Sequence, residues 1–99
     1  MALQVLEMSL SAIRHLRQPL ASLRARNPDL HDQIRRAASS VPLNLAEGWK
    51  RRGKDRLHHW RIAAGSAEEA RTALRVAEAW GDLPAAELEA ALQCLDSVL

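Results

Sequence analysis

Residues 3–23 read LQVLEMSLSAIRHLRQPLASL, with large apolar side chains at Leu3, Leu6, Leu10, Ile13, Leu16, Leu20 and Leu23. The steps between them are 3, 4, 3, 3, 4 and 3. That spacing draws one stripe along an α-helix, whereas a strand would scatter it over both faces. It predicts a helix from about Ala2 to Arg26, with Arg14, Arg17, Arg24 and Arg26 off the stripe. Pro19 falls inside and takes away the donor for the His15 carbonyl. Because the stripe keeps its phase across the proline, a kinked helix is expected rather than a break.

Working outward, the pattern recurs. Asn27-Pro28 combines a good N-cap with a good first helical residue, so a second helix should start there. Its stripe is Leu30, Ile34, Ala37, Val41 and Leu45. Pro42 lies within it and frees the Ala38 carbonyl, with Ser39, Ser40 and Asn44 close enough to satisfy backbone groups locally. Gly48 and Gly53 bracket its end. A third helix is predicted over about Lys54 to Trp80, on the stripe Leu57, Trp60, Ala64, Ala67, Ala70, Leu74 and Ala77. Gly81-Asp82 stops it, and Pro84 opens a fourth with Leu88, Leu92, Leu95 and Leu99. Connections this short make neighbouring helices antiparallel, so the expected fold is all-α, an up-down-up-down four-helix bundle forming one domain over residues 1–99.

Composition agrees. Of 99 residues, 18 are Ala and 16 Leu, against seven Val and Ile together, one Thr and no Phe or Tyr; this favours helix and argues against sandwiches and barrels. Hydrophobic residues make up 47%, too many for a disordered chain. The single Cys94 allows neither an internal disulfide nor a cysteine zinc cluster, and points to the cytoplasm. The longest charge-free stretch, Ala37 to Ala46, falls far short of a membrane span. Glu7 precedes any Arg or Lys, so no secretory signal is expected. The third helix offers mostly alanines for burial, and small side chains contribute little at roughly 25 cal/mol per Å². A bundle built that way should be marginal alone, so a homo-oligomer is expected.

Charge is divided unevenly along the chain. Residues 1–61 hold twelve Lys and Arg against five Asp and Glu, and residues 62–99 hold two against seven. The densest cationic run is Lys50 to Arg61, with Lys50, Arg51, Arg52, Lys54, Arg56 and Arg61 beside one acid, Asp55, and with Trp49 and Trp60 nearby. Several cations around a turn suit the phosphates of RNA or DNA, and aromatic faces suit exposed bases. The run also fits a solvated connection with Trp60 in the core. Arg35 and Arg36 could extend the basic surface; their plain role is helix solvation, with Arg36 pairing back to Asp32. Glu47 stands four residues before Arg51, the favourable order for a helical ion pair.

Signals for catalysis are weak. His58 and His59 are adjacent and diverge around a helix, and His15 and His31 lie far off in sequence, so no metal site is expected. Cys94 sits among leucines, more consistent with packing than with activation. No phosphate-binding glycine loop or dinucleotide fingerprint is present. A nuclease or deaminase would need an acidic or metal cluster that is not visible.

Two blocks are distinctive in combination: Gln33 to Gly48, QIRRAASSVPLNLAEG, and Ile62 to Ala70, IAAGSAEEA. In this order and at this separation they resemble the four-helix-bundle family encoded in intervening sequences of bacterial large-subunit ribosomal RNA genes, which includes the accessory protein of diversity-generating retroelements. The likeness is strongest from about Pro28 to Leu83. It implies antiparallel four-helix protomers in a ring-shaped homopentamer with a basic surface, association with nucleic acid, and in the retroelement members with a reverse transcriptase. It implies no catalytic activity and no cofactor. Asn44, Glu47 and Gly48 belong to the first block and Gly65-Ser66 to the second. Their physical sense is packing, with Gly65 expected to allow close helix approach and Asn44 to mend bonding near Pro42. The chain departs from the family in a short fourth helix and in Leu57, where members often carry an aromatic residue. The expected function is a non-enzymatic, oligomeric module binding nucleic acid through residues 50–61, largely without regard to sequence. The alternatives are a scaffold docking an acidic protein, such as a reverse transcriptase, and a purely structural oligomer joining basic to acidic halves.

Overall fold

The first reversal of the chain is set by Asn27. Its side-chain oxygen accepts the Leu30 N–H at 3.2 Å, and Pro28 follows at the position where a missing donor does no harm. A computed structural model describes residues 2–99 as four helices: α1 (Ala2–Arg26), α2 (Pro28–Trp49), α3 (Gly53–Trp80) and α4 (Ala85–Val98). α1 and α2 run unbroken through Pro19 and Pro42. Gly81 ends α3 in the left-handed region at φ 81°. Its N–H reaches the Glu78 carbonyl, and that of Asp82 reaches Ala77, which closes the last turn of the helix.

Asn27 also donates through Nδ2 to Asp82 Oδ2 at 3.3 Å. The α1–α2 and α3–α4 reversals therefore lie together at one end, and the α2–α3 reversal stands at the other. Each helix packs on its two neighbours, α1 on α2 and α4, α3 on α2 and α4, giving the antiparallel up-down-up-down bundle. The fourth helix, although short, reaches both α1 and α3. With 14 residues against 28 in α3, it covers only about half that length at a rise of about 1.5 Å per residue. The reach of Arg71 to both Asp96 and Glu68, each at 2.7 Å, marks where α4 stops along α3. The molecule extends 42 Å along its axis, and the α2–α3 end projects beyond the α4 layer.

The core consists of leucines from α1, α2 and α4 set against an alanine seam on α3. Leu16, Leu23, Ile34, Leu88 and Leu95 are fully buried, and α3 supplies Ala63, Ala67, Ala70, Ala73 and Ala77 with Leu74. Two expected stripe positions shift. Ala63, rather than Ala64, is fully buried, and Leu57 is 45% exposed. Near-uniform alanine gives α3 little contrast between faces, so its phase is fixed by packing. Leu57 lies in the turn of α3 that projects past the core. At the same end of the bundle, Leu3 is also exposed. Among the described residues no helix is long and apolar enough to cross a membrane.

Candidate functional site

The α2–α3 corner is built around a latch that the sequence did not reveal. Gly48 is buried because the Trp60 indole lies against it: a Cβ placed there would sit 2.5 Å from Trp60 Cδ1 and 2.6 Å from Nε1. The indole donates to the Leu45 carbonyl at 3.4 Å. Arg56 reaches back across the turn, donating from Nε to the Gly48 carbonyl at 3.1 Å and from Nη2 to the Trp49 carbonyl at 3.0 Å. These carbonyls belong to the last turn of α2, where that of Gly48 also accepts the Arg51 N–H at 3.1 Å, so a side chain of α3 helps to cap α2. The same guanidinium lies 5.5 Å from the Trp60 ring centre, within cation–π range. Trp60 is half-buried at the edge of the core and Arg56 is committed to the backbone.

Close approach thus falls at Gly48 and not at Gly65, where a Cβ would meet nothing within 4 Å. Gly48→Ala adds a better helix former, worth about 1 kcal/mol in an open helix. Here the methyl must displace a packed indole, an overpacking that costs about 1–3 kcal/mol. The expected net result is a lower Tm, with Trp60 fluorescence changed; a raised Tm in thermal unfolding would show that the indole yields freely.

A polar ladder continues from the latch along the α2–α3 seam. Ser66 donates to Ser40 Oγ at 2.8 Å, and Asn44 Nδ2 donates to Ser40 Oγ and to the Ser40 carbonyl, each at 3.0 Å. Asn44 Oδ1 faces His59 Nδ1 at 3.1 Å. With its amide nitrogen engaged, the Asn44 oxygen is the acceptor, so the His59 proton sits on Nδ1. Asn44 therefore serves the Ser40 carbonyl rather than the Ala38 carbonyl freed by Pro42, and it ties α2 to α3.

The remaining predicted cations divide by partner. Glu47 accepts from Arg51 at 3.1 Å and has Lys50 at 3.8 Å. The hydrogen bond from Arg51, then the charge of Lys50, hold its carboxyl below the ordinary Glu range. Both cations are exposed and share this one carboxylate. Arg52, Lys54 and Arg61 are exposed and make no ion pair among the described residues. Lys54, His58 and Arg61 follow one another at helical spacing on the outer face of α3, while Arg52 occupies its N-cap without a side-chain bond. The unpaired N–H groups of that first turn add positive potential at the same place. Trp49 stands beside them, half-exposed.

Arg35 and Arg36 are exposed on α2, well along the helix from the turn and not gathered with it. Arg36 forms no pair with Asp32; that carboxylate bonds His31 Nδ1 at 2.9 Å. In the acidic half, by contrast, Arg71 and Arg75 are both paired, Arg75 with Glu78 at 3.2 Å. Among the described residues, no three His, Cys, Asp or Glu side chains gather as metal ligands. Cys94 is buried.

No curated protein and no solved structure gives a significant match to the chain. A family model described as 23S rRNA-intervening sequence protein matches residues 2–99, which include both sequence blocks and all four helices. By that match, the chain belongs to the 23S rRNA-intervening sequence protein family.

Proposed function

We propose that the chain is a cytoplasmic, non-enzymatic nucleic-acid-binding module that works as a homo-oligomer. Its basic α2–α3 corner contacts phosphates irrespective of base sequence. The observation that carries this reading is the contrast in pairing. Cations of the acidic half are neutralised by carboxylates within the chain, whereas Arg52, Lys54 and Arg61 are exposed and unpaired at the end that projects beyond α4. Unneutralised cations raise local potential and draw a polyanion, displacing its counterions. Lys50 and Arg51 add to this field, partly offset by Glu47. Arg56 contributes by holding the turn in shape. Trp49 offers a face on which a base can stack.

Self-association is supported by the large apolar side chains left in water. Leu3, Leu43, Leu57 and Trp80 are exposed by 45% or more, and the alanine seam buries little area for the entropy of ordering the backbone. The family resemblance favours a homopentamer. Size-exclusion chromatography with light scattering, run with and without labelled RNA at low salt, tests both parts. The expected result is a multiple of the 11.0 kDa chain mass that takes up RNA. A module docking an acidic protein, such as a reverse transcriptase, would give the same oligomer with RNA left free, and that outcome would overturn the nucleic-acid reading.

A further inference from the structure

We infer that the groove between α1 and α2 is a second phosphate-binding surface, fitted to a segment of nucleic-acid backbone. This rests on the nucleic-acid reading above but uses none of the residues of the α2–α3 corner. The groove measures about 350 Å³. Its rims carry Arg17 and Arg24 from α1 and Arg35 from α2, and its floor is apolar, with Leu16 and Leu20. None of the three arginines forms an ion pair among the described residues. Arg17 and Arg24 are two helical turns apart, about 10 Å along the axis. Cations spread that far along a groove can meet more than one phosphate of a chain.

His31 is the fourth polar member. It is 8% exposed, one of few buried polar side chains, and it lines the groove. Its Nδ1 lies 2.9 Å from Asp32 Oδ1. A carboxylate in its ionised form only accepts, so the Nδ1 proton points to Asp32 and the ring is fixed in orientation. Asp32 is exposed, lies outside the groove lining, and is held below the ordinary Asp range chiefly by that bond. Among the described residues no partner engages His31 Nε2 and no buried side-chain nitrogen or oxygen is left unbonded, so Nε2 reaches solvent. Three unpaired guanidinium groups and an oriented imidazole above an apolar floor match phosphates with a sugar or base between them. Arg36 and Asp29 also lie on α2, outside the lining, as surface charges of opposite sign.

The test uses the full chain and a single-stranded RNA dodecamer, read by fluorescence anisotropy across a salt series and by NMR of the His31 ring nitrogens. Arg17→Gln with Arg35→Gln removes two cations from exposed positions while keeping polar stems. At about 0.1 M salt the double variant should bind about twentyfold more weakly, with a salt slope shallower by about 1.4, from about 0.7 per single-strand phosphate contact. His31 signals should move as the wild type saturates. Arg75→Gln, in the acidic half, should bind as wild type does. If the double variant binds with unchanged affinity and slope and His31 stays still, the groove inference is wrong while the nucleic-acid reading survives. If inorganic phosphate alone moves His31 at the same concentration of phosphate groups, the groove is a small-anion site and the inference is again wrong. If wild type binds no RNA at low salt, both fall.

Discussion

A variant carrying Arg52→Gln, Lys54→Gln and Arg61→Gln is expected to bind single-stranded RNA about a hundredfold more weakly than wild type at about 0.1 M salt. The figure follows from counterion release. Each lost phosphate contact removes a factor that scales with salt to about the 0.7 power, and three such losses compound. The three side chains are exposed and make no ion pair, so the variant should keep its helicity and its stability to within about 0.5 kcal/mol. That combination is diagnostic: affinity collapses and folding does not. Anisotropy titrations, with circular dichroism on the same samples, provide the measurement. An affinity within about threefold of wild type would mean that the corner is merely solvated, as a charged helical connection often is.

The other large effect belongs to the core. Leu74→Ala is expected to destabilise the bundle by about 3–5 kcal/mol, the range for removing a buried leucine where neighbours relax only partly. Leu74 is fully buried, and the other fully buried α3 positions are alanines. Its loss leaves the buried seam of α3 with alanines alone. Domains of this size lose about 4–8 °C in Tm per kcal/mol, so a fall of more than about 12 °C is expected at matched protomer concentration. The nearby Val76→Ala, at a position 39% exposed, should change little. A cost under about 1 kcal/mol for Leu74→Ala would show that α3 is held by its alanines and by subunit contacts instead.

Much of the fold was legible along the chain because α1 and α2 alternate leucine with arginine, glutamine and serine, and that contrast fixes which face turns inward. Asn27-Pro28 and Gly81 announced two reversals through local backbone chemistry alone. α3 was harder. Between Ile62 and Ala70 both faces carry small residues, so the pattern could not separate Ala63 from Ala64 or show that Gly65 has open space beside it. The close contact lay at Gly48, where the reason is an indole twelve residues ahead in the chain. The basic run was visible as charge, but the role of Arg56 depends on how a turn folds back, and no spacing rule encodes it. The groove arginines and His31 come from two helices. Arg17 and Arg35 meet only because the chain reverses at Asn27, so a linear reading took Arg17 and Arg24 as residues off the apolar stripe and Arg35 as an extension of the basic run near residue 50. Charge and period can be read from a sequence; partners across a turn require the fold.

Functionally, the cations of the two halves differ in how they are partnered. The acidic fourth helix stays at the end shared by two reversals, with Arg71 bound to both Asp96 and Glu68. Hydrogen bonds to those two carboxylates raise the Arg71 guanidinium further above its already high range, and Arg75 is held by Glu78. The α2–α3 end keeps Arg52, Lys54 and Arg61 without a carboxylate partner among the described residues, and the α1–α2 groove likewise keeps Arg17, Arg24 and Arg35. The measurement that bears most directly on this arrangement is the slope of log binding constant against log salt for the unmodified chain and RNA. The expected result is a straight line with a slope of about −2 or steeper, as three or more displaced counterions require. A slope near zero, or binding to RNA that persists unchanged into molar salt, would contradict it.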